Sequence, residues 1–276
     1  MPEDTTAEFT REDLVEQAPP LKMILKTSVA CKSDLGRVRE NNEDKFEFYI
    51  PEDENLMASR GSIFVVCDGM GGHAAGQIAS ELACKTFLEV YLHHYSADGA
   101  VAAGAAVEAA NRFILDVARA MPSRAGMGTT LSAIILRQDE AISVQIGDSR
   151  IYRFRDEILE QISEEHSFVE EQVKLGLMSR EEAARSPYAH VLTRALGVDE
   201  GVQPHIAKYD LREGDIFLLC SDGLTNHVTD VQIHDTLAKY APSESVWRLV
   251  NAALIAGGSD NCTALCVRVD EIIAVE

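Results

Sequence analysis

Four aspartates at the ends of short apolar segments carry the strongest chemical signal in this chain. They are Asp68, Asp148, Asp222 and Asp260, and each stands beside glycine or serine. Each motif alone is typical of a plain turn, since Asp and Gly favour turn conformations. If buried strands deliver several carboxylates to one edge, however, their mutual repulsion must be relieved by protonation or by cations.

A divalent metal ion is the cation that best fits such a set of ligands. Carboxylate and backbone carbonyl oxygens are hard ligands that suit Mg²⁺ or Mn²⁺, and neither cysteine nor histidine is needed. Glycine after Asp68 allows the backbone close to an ion, so the carbonyl of Gly69 can itself be a ligand. The pattern therefore predicts a metal site, while the sequence alone leaves open whether the four acids converge.

Two other kinds of site are compatible with the composition. The glycine-rich stretch Gly69–Gly72 resembles a phosphate-binding loop, but it matches neither G-x-x-x-x-G-K-[ST] nor G-x-G-x-x-G. A serine or cysteine nucleophile with histidine would also be chemically reasonable. The chain has no G-x-S-x-G motif, and its eight histidines are scattered. Both signals are weaker than the repeated aspartates.

Short apolar strands and longer helices must position these acids. Apolar runs bounded by Gly, Asp or Ser predict strands at Thr27–Lys32, Lys45–Ile50, Ser62–Cys67, Thr129–Leu136, Ala141–Ile146, Arg150–Arg155, His205–Tyr209, Asp215–Cys220 and Cys262–Val269. Helical periodicity predicts helices at Ala75–His94, Ala100–Ala120, Glu164–Leu175, Thr229–Tyr240 and Glu244–Ala256. Thr229 with Gln232, and Ser179 with Glu182, have the spacing of a capping box. Strands in direct succession and paired helices favour a layered α+β sandwich over a doubly wound parallel sheet.

Charge and composition exclude several classes of protein. The chain has 276 residues, with 25 Lys and Arg against 45 Asp and Glu, a net charge of −20. Such acidity argues against a nucleic-acid binder and against a protein that binds anionic membranes. No apolar run reaches the roughly 18 residues of a membrane span, and the acidic start lacks the apolar region of a secretory signal. The six cysteines form no C-x-x-C pair, so we expect reduced core thiols in a cytoplasmic protein.

One domain is expected, at residues 27–272. Residues 1–26 are acidic, contain Pro19-Pro20 and lack a long periodic apolar pattern, so they are predicted to be a flexible N-terminal tail. After Thr27 no linker is long enough to mark a second boundary. A core of this size fits a single large domain.

Eight motifs in order resemble those of the metal-dependent Ser/Thr protein phosphatases, the protein phosphatase type 2C family, in its bacterial form. They extend over nearly the whole chain after the tail, and their number and order make the resemblance specific. They are Asp34–Asp44 (DLGRVRENNED), Val66–His73 (VCDGMGGH), Gly126–Leu131 (GMGTTL), Gly147–Arg150 (GDSR), Glu165–Ser167 (EHS), Val191–Gly197 (VLTRALG), Leu219–Leu224 (LCSDGL) and Ser259–Asn261 (SDN).

The resemblance implies a four-layer αββα sandwich, in which helices flank two antiparallel sheets and a metal centre lies at the sheet edge. It implies two Mn²⁺ or Mg²⁺ ions bridged by Asp68, with the Gly69 carbonyl on one ion. Asp222 and Asp260 would complete the other ion, and Asp148 would hold a third, weaker one together with Asp222.

The remaining site residues are also assigned by the resemblance. Arg39 lies where the family binds the substrate phosphate, a role that suits a planar guanidinium. Glu43 and Asp44 would orient waters on the ions. The implied reaction is hydrolysis of phosphoserine and phosphothreonine in proteins, by in-line attack of a hydroxide that bridges the metals. The implied partners are phosphorylated proteins, among them a bacterial Ser/Thr kinase and its substrates, and a monomer is expected.

Two departures from the family pattern concern groups near the reaction. Met70 stands where eukaryotic relatives carry a histidine that is a candidate general acid, so protonation of the leaving group is expected to come from a metal-bound water. His73 and His166 are weaker candidates for that role. Glu165 replaces the usual aspartate of an Asp-His-Ser motif. The acidic segment Asp156–Glu182, the expected flap beside the site, is predicted to repel strongly acidic substrates.

Two rival functions use the same residues. A catalytically silent binding or signalling module would be expected to lack metal-binding acids, yet Asp68, Asp222, Asp260 and Arg39 are all present. A metal-dependent nuclease is disfavoured by the acidity of the chain.

Overall fold

Strand β3 (Ser62–Met70) is buried on both of its faces. Its odd-numbered residues Ile63, Val65 and Cys67 pack against helices, whereas Phe64 and Val66 pack against a second sheet. Side chains alternate between the two faces of a strand, so a strand in the middle layers needs an unbroken apolar run. The computed structural model, which describes residues 19–71, 74–183 and 185–275, is layered around strands of this kind.

Two antiparallel sheets form the middle of the molecule. The other strands are β1 (Met23–Asp34), β2 (Asp44–Tyr49), β4 (Gly128–Thr129), β5 (Leu131–Arg137), β6 (Glu140–Ile146), β7 (Arg150–Arg155), β8 (Ile158–Gln161), β9 (His205–Asp210), β10 (Ile216–Cys220) and β11 (Cys262–Ala274). The five-stranded sheet has the order β1-β11-β10-β7-β8, and the six-stranded sheet has the order β2-β3-β5-β6-β9, with β4 paired to β3. A core that includes Phe64, Phe217 and Leu265 fills the space between them.

Helices cover the outer face of each sheet. The α-helices of the described residues are α1 (Glu54–Ser59), α2 (Ala74–His93), α3 (Gly99–Ala120), α4 (Phe168–Lys174), α5 (Arg180–Ala183), α6 (Asp222–Thr225), α7 (Asp230–Lys239) and α8 (Pro242–Ile255). Helices α2 and α3 pack on the six-stranded sheet, while α6, α7 and α8 pack on the five-stranded sheet. The predicted four-layer αββα sandwich is therefore confirmed.

Most predicted elements are present, with a few differences at their ends. The predicted strand Thr129–Leu136 is interrupted at Thr130, which bonds to Asp68 instead of continuing a ladder. The predicted helix at Glu164 begins only at Phe168, after a Ser167 N-cap. Four short elements, α1, α5, α6 and β8, were not predicted, because so few residues show no clear periodicity. Both expected capping boxes form.

The expected limits of the domain differ slightly from the ordered strands. Strand β1 begins at Met23 and pairs with β11, which continues to Ala274. The two strands therefore extend beyond the expected limits of 27 and 272. The predicted tail lies mostly outside the described residues, which start at Pro19.

All six cysteines are free thiols, and only Cys31 is not fully buried. Within the described ranges, no helix is long and apolar enough to cross a membrane.

Candidate metal centre

Antiparallel pairing brings two of the expected site acids together at one end of the six-stranded sheet. Asp68 lies near the end of β3, and its direct partner across the ladder is Asp44, the first residue of β2. Residues directly opposite each other in an antiparallel pair are about 5 Å apart, and like charges there repel. Asp44 is only 2 % exposed. This pair of carboxyls is therefore costly for the fold.

The other acids come from the turn after β6 and from the five-stranded sheet. Asp148 occupies the β6–β7 turn, Asp222 begins α6 directly after β10, and Asp260 lies just before β11. The backbone segments that carry Asp222 and Asp260 are in close contact, since a side chain at Gly223 would collide with the carbonyl oxygen of Asn261. All three carboxylates line one cavity of about 690 Å³, together with Asp68. The convergence that the sequence left open is present.

Hydrogen bonds join the two sheets at this edge. The hydroxyl of Ser221, after β10, donates to Asp44 Oδ2 at 2.7 Å. The side-chain amide of Asn261 accepts from the Glu43 backbone N–H at 2.8 Å and donates to the carbonyls of Leu35 and Asn41. Asn261 therefore fixes the loop that carries Arg39. Ser221 and Asn261 belong to the LCSDGL and SDN motifs. The sequence alone indicates no role for them, because a polar residue next to an acid has no distinctive spacing.

Two threonines position the Asp68 backbone. Thr130 Oγ1 accepts from the Asp68 N–H at 2.9 Å, and Thr129 Oγ1 donates to the Asp68 carbonyl at 2.8 Å. Ser149 in turn is hydrogen-bonded to Thr130 at 2.8 Å. These contacts leave the Asp68 carboxylate free to face the cavity. The Gly126–Leu131 motif therefore has a positioning role that the sequence did not reveal.

Gly69 must remain a glycine because the chain is crowded there. A side chain at Gly69 would collide with the carbonyl oxygen of Gly76 at the start of α2 and would contact the Glu43 carbonyl at 2.7 Å. The Glu43 side chain lies against Gly76 and lines the cavity. Strand β3, helix α2 and the Glu43 loop thus meet at one point.

Arg39 also lines the cavity, where it pairs with Asp260. Its Nη2 donates to Asp260 Oδ2 at 2.6 Å, while Asp260 Oδ1 accepts from the Asn261 N–H at 2.8 Å. Both oxygens of Asp260 thus have protein donors. In keeping with this, the described residues contain no group of three acidic, histidine or cysteine side chains already arranged around one point. The four acids share a cavity rather than a preformed coordination shell.

Burial and repulsion raise the pKa of three carboxyls. The pKa of Asp44 rises to about 7, first because burial disfavours its charge and then because Asp222 and Asp260 repel it. The pKa of Asp148 rises to about 7 through burial and repulsion by Asp222. Burial, with repulsion by Asp44 foremost among the charges, raises the pKa of Asp68 well above its ordinary value. Such a cluster is unfavourable unless protons or cations enter it.

The donor atoms at this edge suit divalent ions. Asp44 lies opposite Asp68 but does not line the cavity. Its buried Oδ1 has no hydrogen-bond partner among the described residues, so it can accept a further donor such as a water molecule. Carboxylate and carbonyl oxygens are the ligands that Mg²⁺ and Mn²⁺ prefer. The donor chemistry and the orphaned oxygen therefore both fit a metal centre.

The structure changes the role of His166, one of the two histidines that the sequence suggested as a general acid. His166 is 1 % exposed and does not line the cavity. Its Nδ1 accepts from the Gly147 N–H at 3.2 Å, and burial lowers its pKa to about 4. His166 is therefore a neutral structural residue, and its suggested role as general acid is wrong. His73 lies outside the described residues.

His190 was missed by sequence reasoning, yet it lines the cavity. Its Nδ1 lies 3.5 Å from Asp222 Oδ2, and this hydrogen bond raises the pKa of His190. Burial works to raise the pKa of Asp222, but hydrogen bonds from His190 and Asn226 outweigh it and lower that pKa. An isolated histidine carries no sequence signal of such a position.

A sandwich of this kind, with an acidic cavity at its edge, is the architecture of the metal-dependent protein phosphatases. A family model for protein phosphatase 2C matches residues 38–254. The chain therefore belongs to the protein phosphatase 2C family. The serine/threonine protein phosphatase PstP of Mycobacterium tuberculosis is 37 % identical over 244 residues, which are 88 % of this chain and 45 % of that protein.

The chain thus spans less than half the length of PstP, but nearly all of other relatives. The serine/threonine phosphatase stp of Listeria monocytogenes is 34 % identical over 244 residues, which are 87 % of this chain and 94 % of that protein. The crystal structure of the catalytic domain of PstP in complex with two manganese ions is 37 % identical, with a TM-score of 0.78. That alignment covers 90 % of this chain and all of that one.

Proposed function

We propose that this chain hydrolyses phosphoserine and phosphothreonine esters in proteins and that the reaction requires two Mn²⁺ or Mg²⁺ ions. The observation that carries the proposal is the cavity in which carboxylates from both sheets meet the guanidinium of Arg39. Hydrolysis of phosphate monoesters is extremely slow without catalysis, so concentrated positive charge is needed. The names of the relatives and the two manganese ions of PstP support the same reaction.

The ions would be held by oxygens of five residues. Asp68 and the Gly69 carbonyl would supply ligands to one ion, and Asp68, Asp222 and Asp260 would supply ligands to the other. Asp148 and Asp222 would hold a third, weaker ion. When bound, the ions activate water as the nucleophile and offset the charge of the phosphoryl group. The raised pKa values of Asp68 and Asp148 support these roles, since both carboxylates lack sufficient compensating charge from the protein.

Arg39 binds the substrate phosphate in this proposal. In the structure its guanidinium is held by Asp260, and an ion at Asp260 would take over that oxygen. Arg39 would then be available for two phosphoryl oxygens, which its planar fork matches. Its side chain is 54 % exposed, so it can reorient at little cost in packing.

Glu43, which lines the cavity, and Asp44, which is buried beside Asp68 and does not line it, would orient water bound at the ions. The orphaned Asp44 Oδ1 supports this role, because it can accept a hydrogen bond from a water molecule. We assign protonation of the leaving oxygen to water, because Met70 stands in place of a histidine and His166 is buried. His190 lines the cavity, but its Nδ1 is engaged by Asp222.

The cell biology of the chain is proposed by analogy with the family. We expect a monomer that acts in the cytoplasm, where buried cysteines stay reduced, with residues 27–272 as its catalytic domain. We expect it to act against a Ser/Thr kinase and the substrates of that kinase. Nucleic acid is not expected as a substrate, given the net charge of −20.

The expected flap beside the site, residues 156–182, carries less uncompensated negative charge than its sequence suggests. Several of its acids form ion pairs, which are Glu160 with Arg153, Glu164 with Lys174, Glu165 with Arg150 and Glu170 with Arg180. Repulsion of strongly acidic substrates by residues 156–182 remains a prediction, and these pairs reduce its expected size.

The test is phosphate release from a phosphothreonine peptide in EDTA, in Mg²⁺ and in Mn²⁺, with Asp68→Asn as the variant. We expect release only with metal and only from the wild type. Single-stranded DNA is the control substrate, and its cleavage would favour a nuclease instead. If folded wild-type protein released no phosphate with either metal, the catalytically silent binding module would be the better description.

A further inference from the structure

One wall of the cavity carries apolar side chains. Met70, Leu192, Ala195 and Val198 form this wall, Thr193 and Arg194 line the cavity between Leu192 and Ala195, and the acid Asp199 follows Val198. Val198 is 54 % exposed. The cavity as a whole has a volume of about 690 Å³, which is typical of pockets that hold more than a phosphoryl group. An exposed apolar surface inside a polar cavity calls for a ligand with an apolar part.

Backbone pairing fixes this wall to the body of the protein. Met70 pairs with Gly128 across β3 and β4, and a side chain at Gly128 would contact Met70 Cε at 2.7 Å and Val198 Cγ2 at 3.2 Å. Thr129 and Leu196 exchange two backbone hydrogen bonds, at 3.0 and 2.9 Å. The apolar side chains of Met70 and Val198 are thereby held beside each other.

A buried asparagine fixes the segment that carries Val198 and Asp199. Asn111 on α3 is 1 % exposed. Its Oδ1 accepts from the Gly197 N–H at 2.7 Å, and its Nδ2 donates to the Asp199 carbonyl at 2.8 Å. The wall is consequently a preformed surface, which limits the entropy lost when a ligand binds.

Asp199 gives the rim of this wall a negative charge. In the described part of the chain, no lysine or arginine forms an ion pair with its carboxylate, whereas the next residue, Glu200, pairs with Arg119 at 2.7 Å. A cationic group on a ligand would therefore find an uncompensated acid beside the apolar surface.

We propose that this wall is a subsite for the residues that flank the phosphorylated one: an apolar side chain packs on Met70 and Val198, and a lysine or arginine beyond it pairs with Asp199. The inference rests on the proposed phosphatase function and names its substrate class. A peptide whose phosphate lies near Arg39 must lay its neighbouring residues along the cavity, and this wall offers apolar side chains and an acid to apolar and basic residues of the peptide.

The test compares three phosphothreonine peptides whose flanks are symmetric, so that the direction of the peptide does not matter. They are Lys-Leu-pThr-Leu-Lys, Glu-Leu-pThr-Leu-Glu and Lys-Ser-pThr-Ser-Lys, each assayed for kcat/KM with Mn²⁺. We expect the wild type to prefer lysine over glutamate by about threefold to fivefold, as for exposed ion pairs. We expect it to prefer leucine over serine by about tenfold.

Two variants test the residues. Asp199→Lys is expected to reverse the ratio between the lysine and glutamate peptides, and Val198→Ser is expected to reduce the ratio between the leucine and serine peptides to about two. A general loss of activity cancels in each ratio. Glu213→Lys, at an exposed turn outside the cavity, makes the same change in charge and should keep both wild-type ratios. Unchanged ratios in Asp199→Lys and Val198→Ser would overturn the subsite.

A failure of the proposed function is distinguished by the small substrate p-nitrophenyl phosphate, which has no flanking residues. Metal-dependent hydrolysis of this ester together with equal rates on all three peptides would uphold the phosphatase and overturn the subsite. If neither the ester nor the peptides were hydrolysed, the Kd of each peptide, measured by fluorescence anisotropy, would decide. The same preferences and their reversal in Asp199→Lys would support the subsite, and equal Kd values would overturn it.

Discussion

Replacing Asp44 by asparagine should stabilise the protein when metal ions are removed. Asp44 is 2 % exposed and lies opposite Asp68 in the β2–β3 ladder. Its Oδ2 accepts from Ser221, while Oδ1 has no partner in the part of the chain that the structure describes. Asparagine keeps the size and the Ser221 hydrogen bond but removes the charge. The variant should therefore be more stable in EDTA at neutral pH, while its metal-dependent activity falls about tenfold to a hundredfold.

The magnitude follows from the raised pKa of Asp44. A carboxyl with a higher pKa in the folded state binds protons more tightly there, so it favours folding at low pH. Its unfavourable contribution grows as pH rises above 3.8, the ordinary value, and is complete above about 7. At about 1.4 kcal/mol per pKa unit, this penalty is roughly 4 kcal/mol near pH 8 and roughly 2 kcal/mol near pH 5.

Asparagine introduces a cost of its own. Its buried amide N–H groups need acceptors, and an unsatisfied group costs about 1–3 kcal/mol at any pH. The net gain expected near pH 8 is thus about 1–3 kcal/mol. The difference between variant and wild type should shrink by roughly 2 to 3 kcal/mol between pH 8 and pH 5, because only the wild type titrates at this position.

Urea unfolding in EDTA at the two pH values measures this difference. Titrating groups that Asp44 does not influence, such as His166 with its pKa of about 4, act equally in both proteins and cancel. Asp68, whose pKa Asp44 raises, changes in the same direction as Asp44 itself, because the variant relieves its repulsion. Ser221→Ala is the matched control, since it removes the hydrogen bond to Asp44 but keeps the carboxyl. It should lower the free energy of unfolding near pH 8. A difference between Asp44→Asn and wild type that did not change with pH would refute the reasoning.

Three further outcomes are expected. Asp222→Ala should abolish phosphate release while thermal melting shows an intact fold, because the carboxylate faces the cavity; melting without metal at a temperature where the wild type stays folded would contradict this. Arg155→Met should lower the free energy of unfolding by about 3–5 kcal/mol in urea, since it leaves the buried Asp215 carboxylate without its paired guanidinium at 2.6 Å. Asn261→Ala should cost about 2–4 kcal/mol in urea unfolding, through the loss of three hydrogen bonds of about 1 kcal/mol each. Asn261→Asp should cost at least as much, because its carboxylate would face the carbonyls of Leu35 and Asn41 and would add a charge beside Asp260.

The strands and the carboxylates were predictable because each has a local signal. The run from Ser62 to Cys67 is apolar at every position after the first, as a strand buried on both faces requires, and Asp68 follows it directly. The same signal marks β10 before Asp222. The ends of such strands could be predicted less well, since β3 continues to Met70, where pairing with β4 extends it.

What could not be predicted depends on contacts between distant parts of the chain. The pairing of Asp44 with Asp68 depends on strand register, and the clamp of Asn111 on residues 197–199 joins α3 to a loop far along the chain. The position of His190 near Asp222 is likewise a tertiary contact. None of these residues has a neighbour in sequence that reveals its partner.

The acids of the candidate metal centre and the core between the sheets have opposing effects on the stability of the sandwich. Asp44 and Asp68 belong to the six-stranded sheet, whereas Asp222 lies at the end of a strand of the other sheet. Repulsion among these acids therefore pushes the two sheets apart at this edge, and burial of the apolar side chains between the sheets resists it. Any ion bound here contributes to the stability of the sandwich as well as to the chemistry, because it removes the repulsion across the sheets.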